Sequence, residues 1–148
     1  MLIGQYLSKL TDKDRVSVPK KLRRELGDEL IVARWYEKCL VLVSKDAWQN
    51  LVKRLTGPSY LIISPVRDLD RFIFGQGFEI KLDRQGRFII PKVLLNYASI
   101  KSEVIFVGLG DRVEIWDSTE WDTLEKAIEE KAYEALERIA VGKKKVGD

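Results

Sequence analysis

The sequence contains no histidine and a single cysteine, Cys39, in 148 residues. Without histidine the commonest general base is missing, and neither a Ser-His-Asp nor a Cys-His nucleophilic arrangement can be assembled. One thiol forms no disulfide framework, and with no imidazole to join it an ordinary zinc site is excluded. Cys39 lies in the apolar stretch CLVLV and reads as a small buried hydrophobe. No run of about 18 apolar residues is present, so no membrane helix is expected. The N-terminus lacks the basic, then apolar, then small-residue order of a secretory signal, and a cytoplasmic location is expected. No GxxxxGK[ST] phosphate loop occurs, and GQG at 75–77 lacks the GxxG continuation of a dinucleotide fold. The 23 acidic residues show no spacing that singles out an acid and base pair. These absences argue against an enzyme, and no cofactor, metal or small-molecule substrate is expected.

What the chain does have is a repeated phrase: DRVSVPKKL at 14–22 returns as GRFIIPKVL at 86–94. A shift of 72 residues carries Tyr6 onto Phe78, Leu10 onto Leu82, Arg15 onto Arg87, Val16 onto Phe88, Pro19 onto Pro91 and Leu22 onto Leu94. A shift of 73 then aligns Val32 with Ile105, Leu42 with Ile115 and Trp48 with Trp121, which implies one extra residue after the proline-initiated helix of the second copy. Two copies are too few for a solenoid, so a pseudo-symmetric pair sharing one core is the economical arrangement.

Each copy has the same local grammar. FEIKL alternates apolar and polar residues, DRQG supplies turn residues, and RFII resumes the alternation, which predicts a β-hairpin. Proline suits the first turn of a helix, so PKKLRREL and PKVLLNYA read as short helices, the first closed by Gly27. Two strands and a helix follow in each copy, the first helix starting after Ser44 and the second after a capping box at Asp117 and Glu120. Ser64 and Pro65 open a connecting helix with Val66, Leu69 and Ile73 on one face. The expected organisation is a first repeat over 1–56, a connecting segment over 57–74, a second repeat with its C-terminal helix over 75–140, and a frayed tail over 141–148. Trp35, Trp48, Trp116 and Trp121 are candidates for subunit contacts, with core packing as the commoner role.

Along a strand, side chains alternate between faces, so Val16 and Val18 point one way and Arg15 and Ser17 the other. Arg87 is set out in the same manner, and Asp83, four residues earlier across the turn, is placed to pair with it. A salt bridge that merely closes the turn is the plain alternative, at about 0–1 kcal/mol if exposed. Lys9, Lys13, Lys81 and Arg84 flank the two turns and make a cationic ridge on each hairpin. Residues 1–74 hold 14 Lys+Arg and 9 Asp+Glu, hence +5, and residues 75–148 hold 12 and 14, hence −2, which together restore the net +3. Cationic side chains on β-ribbons can enter a DNA groove, where they position on phosphates and read guanine. An acidic protein partner is the alternative occupant of such a face.

The tandem order of hairpin, D-x-x-x-R, proline and short helix, with LDRQGRFIIP and GLGDRVEIWD as its most specific text, resembles the MraZ family over essentially the whole chain. The resemblance implies an α+β, mostly β fold of two pseudo-symmetric swapped-hairpin (AbrB/SpoVT-like) units, forming a small barrel-like core with peripheral helices. It also implies a transcriptional regulator, mainly a repressor, that binds double-stranded promoter DNA at direct repeats upstream of the division and cell-wall gene cluster. Such a protein is a ring-shaped homo-oligomer associated with the nucleoid. Asp83 and Arg87 match the family's DxxxR motif in full. In the first copy Arg15 is present, but Thr11 stands in the aspartate position and Asp14 where glycine is usual. Asp12 from a shifted turn, or Thr11 itself, then has to orient Arg15. A single-domain antitoxin of the same class fits less well, since the domain is doubled and the tail short.

Overall fold

The computed structural model describes residues 1–56 and 64–147. The chain divides into two compact units, Met1–Ser118 and Thr119–Asp148. The first unit is α+β and mostly strand, as expected. Its strands are β1 (Leu2–Lys9), β2 (Arg15–Ser17), β3 (Glu29–Arg34), β4 (Leu40–Ser44), β5 (Phe78–Lys81), β6 (Arg87–Ile89), β7 (Glu103–Gly110) and β8 (Val113–Asp117). Its helices are α1 (Lys20–Leu26), α2 (Lys45–Thr56), α3 (Ser64–Phe74) and α4 (Lys92–Tyr97). The second unit is formed by the helix α5, Ser118–Gly147, from Thr119 onward. No helix among the described residues is long and apolar enough to cross a membrane.

The two arms of each expected hairpin do not pair with each other. β5 lies antiparallel to β3 and β6 to β2, while β1 crosses to β7. The sheet order is β1-β7-β8-β4-β3-β5, beside a separate two-stranded ribbon of β2 and β6, and the strands do not close into a barrel. Exchanging every strand for its counterpart in the other copy reverses the order and leaves it unchanged. The repeats are therefore interleaved about a pseudo-two-fold axis. That axis passes where counterparts face each other, Val16 with Phe88 in the ribbon and Val41 with Glu114 between β4 and β8.

Register also corrects the alignment of the copies. Tyr6 faces Phe106, and its counterpart Phe78 faces Val32, so the partner of Val32 in the repeat is Phe106 and not Ile105. Burial agrees: Val32 and Phe106 are fully enclosed, whereas Ile105 is half-exposed. A one-residue slip moves a side chain to the opposite face of a strand, so burial decides the register.

The core draws on both copies. Val16, Val18, Leu22 and Leu30 pack in one cluster with Phe88, Ile90, Leu94 and Val104. Trp35, Trp48 and Trp116 are buried in the first unit, which favours the core role over subunit contact for these three. Pro19 and Pro91 precede α1 and α4 in nearly identical backbone conformations, and Gly27 ends α1 with its N–H on the Arg23 carbonyl at 2.9 Å. Ser44 Oγ accepts the Ala47 N–H at 3.1 Å and caps α2 as expected. Asp117 Oδ1 accepts the Lys101 N–H at 3.2 Å. The connecting helix α3 begins at Ser64 and buries Ile73. Its Phe72 carbonyl accepts Arg34 Nε at 2.9 Å, and the guanidinium lies 4.4 Å from the Phe72 ring centre, so α3 is held to β3 by polar and cation–π contacts. The remainder of the expected connecting segment, residues 57–63, lies outside the described residues.

Candidate nucleic-acid interface

The second DxxxR turn is built around one carboxylate. Asp83 Oδ1 accepts the backbone N–H groups of Gln85 and Arg87, each at 2.9 Å, and Asp83 Oδ2 accepts Arg87 Nε at 2.9 Å. The backbone closes the same loop, with Asp83 N on the Arg87 carbonyl at 3.0 Å and Gly86 N on the Asp83 carbonyl at 2.9 Å. Gly86 has φ +75°, a left-handed conformation that glycine adopts without the Cβ clash other residues meet. The aspartate thus fixes the turn and the guanidinium together. The Arg87 backbone N–H, then the guanidinium and the Gln85 N–H, hold the Asp83 carboxyl below its usual range despite some desolvation.

That direction sets a pH expectation. A carboxyl lowered on folding contributes fully above its unfolded value, about pH 4, and the contribution is lost as pH falls through the lower folded value. The lock on Arg87 is therefore expected to be constant from about pH 6 to 8. Arg87-dependent DNA affinity, measured by fluorescence anisotropy, should be flat across that window; a slope there would assign the orientation of Arg87 to another group.

The first turn keeps the backbone and lacks the lock. Thr11 N reaches the Arg15 carbonyl at 2.9 Å and Asp14 N the Thr11 carbonyl at 3.0 Å, the same two bonds as in the second copy. Asp14, at φ +58°, occupies the left-handed position held by Gly86. Thr11 Oγ1 donates to the Arg15 carbonyl at 3.4 Å, so it turns to the backbone and not to the guanidinium. Neither Thr11 nor Asp12 orients the Arg15 side chain among the described residues.

The ribbon brings the two arginines together. Arg15 faces Ile89 and Ser17 faces Arg87, while Val16 and Phe88 between them point into the core. Arg15 and Arg87 therefore share the outward face as diagonal neighbours, about 7–8 Å apart along the ladder. A shallow depression of about 270 Å³ is lined by both, with Lys81, Asp83 and the half-exposed Ile89. The sequence suggested one ridge on each hairpin; the fold makes one patch from two.

The flanking cations differ in standing. Lys13 and Arg84 are exposed at the two turns. Lys9 and Lys81 end their strands opposite Glu103 and Glu29, so a carboxylate sits across the ladder from each and lessens its free charge. Arg23 was not legible as part of this region. It projects from α1 of the first copy onto the second turn, where a Cβ at Gly86 would overlap its side chain, and its Nε is buried without a partner. No local signal in the sequence links positions so far apart. Among the described residues no group of acidic or cysteine side chains is arranged to hold a metal. Burial, then the nearby Glu114, pushes the Cys39 thiol up, which leaves it unreactive.

Comparison with known proteins adds to this geometry. The family model described as "MraZ protein, putative antitoxin-like" matches residues 1–60 and 73–142. A protein of Syntrophomonas wolfei named Transcriptional regulator MraZ is 36% identical over 140 residues, covering 95% of this chain and 94% of the relative. Its namesake in Caldanaerobacter subterraneus is 36% identical, covering 94% and 96%. That of Halothermothrix orenii is 36% identical over 146 residues, covering 95% and 100%. These relatives bear the name of a regulator and not of an enzyme. With the match spanning both interleaved repeats and both arginine turns, the chain belongs to the MraZ family.

Proposed function

We propose that this chain is a sequence-specific, DNA-binding transcriptional regulator that reads duplex DNA with Arg15 and Arg87. The observation that carries this reading is their shared place on the outward face of a two-stranded ribbon. A two-stranded ribbon fits the major groove, and arginine pairs in bidentate fashion with guanine O6 and N7. Arg87 is pre-ordered by Asp83 and gives up little freedom on binding, while the exposed Lys13 and Arg84 stand where phosphates pass.

The finer reading is repression of the division and cell-wall gene cluster from direct repeats upstream of it, by several copies in a ring on the nucleoid. Head-to-tail copies present identical ribbons in one direction, as direct repeats require, whereas a two-fold dimer favours palindromes. Linked weak contacts gain avidity of roughly 10² to 10⁴ without new interactions.

The test is fluorescence anisotropy with DNA from upstream of the chain's own gene against scrambled DNA of equal length, at two salt concentrations. Tighter binding to the native sequence that persists at higher salt supports the reading. Equal or absent binding to both sequences removes it and leaves the ribbon face to a protein partner. A repair experiment follows from the damaged first turn. Thr11→Asp with Asp14→Gly is expected to lock Arg15 as Arg87 is locked, and to tighten binding by about three- to tenfold. Unchanged affinity would mean that the orientation of Arg15 does not limit recognition.

A further inference from the structure

Beside the second turn stands a cation that no acceptor of the chain engages. Arg23 lies across Gly86, where a Cβ would overlap its guanidinium, and its Nε is buried without a hydrogen-bond partner. Among the described residues no carboxylate or carbonyl bonds the rest of the guanidinium. The acid of that turn, Asp83, is engaged by Arg87 and by two backbone N–H groups. A buried donor left unmade costs stability, so one that persists beside an outward-facing turn calls for an acceptor from outside the chain.

The first turn has no such cation. Each turn abuts the short helix of the other copy: Val18, just before α1, donates its N–H to the Gly86 carbonyl at 2.9 Å, and Ile90, just before α4, donates to the Asp14 carbonyl at 3.0 Å. The 72-residue shift puts Val93 in the place of Lys21, Leu95 in that of Arg23 and Asn96 in that of Arg24. Leu95 is buried, and Asp14 brings a carboxylate to the position of Gly86. Three of the cations that make the first half basic therefore sit on the helix beside the second turn, while the first turn gains a negative charge.

We infer that Arg23 takes a backbone phosphate of the bound duplex beside the second turn, and that the chain, with Leu95 at the equivalent position, lies on DNA in one orientation only. This role rests on the DNA-reading function proposed above and adds to it a contact and a direction. A ribbon in the major groove brings the elements beside its turns against the strands that border the groove, where contacts are to phosphates. The guanidinium fork matches two phosphate oxygens, and a side chain already packed on the Gly86 turn gives up little freedom on contact. The end with Arg23 attracts the phosphate strand and the end with Asp14 repels it. A chain whose two turns were alike would accept either direction along the site; this one distinguishes them, as copies on direct repeats must.

Arg23→Met keeps the aliphatic stem over Gly86 and removes the charge, which separates phosphate binding from packing; Arg23→Gln takes its place should the thioether disturb the turn. With the full-length chain and duplex DNA from upstream of its own gene, anisotropy is expected to show binding about three- to tenfold weaker, equally so on scrambled DNA, and a salt slope lower by about one. Arg23→Lys, which retains the charge, should recover the slope. Phosphate ethylation interference with Arg23→Met should lose one phosphate per repeat, on one flank only of the guanines whose N7 methylation interferes, and the guanine pattern should stay. A folded variant with the wild-type slope and ethylation pattern overturns the inference and leaves Arg15 and Arg87 as readers. Weaker binding with slope and pattern unchanged assigns Arg23 to packing of the turn and overturns it equally. Loss of equivalent phosphates on both flanks refutes the single orientation. If the wild-type chain does not prefer the upstream duplex, the DNA-reading function falls and the role of Arg23 with it.

Discussion

Chains carrying both Arg15→Ala and Arg87→Ala are expected to bind operator-bearing DNA at least about thirtyfold more weakly than wild type, with no loss of fold. A bidentate arginine lost from a base contact costs about 1–3 kcal/mol, and two such losses per chain multiply in affinity. Both side chains lie on the outer face of the ribbon and contribute nothing to the cluster of Val16, Phe88 and Leu22 behind it, so melting should hold within about 2 °C. The single variants should be unequal. Arg87→Ala should lose more, because Asp83 holds that guanidinium in advance and leaves less freedom to be lost on binding. Relaxed sequence preference would mark base reading, while a salt slope lower by about one per arginine with preference unchanged would mark phosphate contact. Full binding by a folded double variant would reject the site.

The largest expected effect on stability falls at a position with no part in binding. Gly108 pairs with Gly4 where β1 meets β7. A Cβ at Gly108 would lie 2.6 Å from Ile3 N, 2.7 Å from the Leu2 carbonyl carbon and 2.8 Å from Ile3 Cα, all backbone atoms that no rotamer change can move aside. Gly108→Ala must therefore push β1 away from its partner and draw Leu2 and Tyr6 back from the core they pack against. We expect a loss of about 2–4 kcal/mol, seen as a melting temperature lower by about 10 °C. A change under about 2 °C would show that β1 shifts at little cost.

The sequence exposed what was local. Alternation in FEIKL and RFII named the strands and their buried sides, proline marked the starts of α1 and α4, and Ser44 marked that of α2. It did not expose which strands are neighbours. Alternation states the face a residue takes, and a turn between two alternating runs suggests that they pair; here β5 and β6 part after the Asp83 turn, each finding a partner in the other copy. The same limit governed the site. Asp83 and Arg87 were visible at their spacing, but the shared face of Arg15 and Arg87 depends on the register of β2 against β6, which no spacing along the chain encodes. Arg23 lay still further beyond reach, since it belongs to the second turn only through packing.

The interleaved strands make the chain equivalent to a dimer of half-length chains joined end to end. Neither half can complete its sheet alone, because β5 needs β3, β1 needs β7, and the ribbon needs one strand from each. In a dimer of identical halves every substitution would appear twice. In a single chain the halves need not be identical: one turn has Asp83 and Gly86 where the other has Thr11 and Asp14. Two turns on a single ribbon can thus differ, one holding its arginine through Asp83 and the other without that carboxylate, and a substitution in one turn leaves the other untouched.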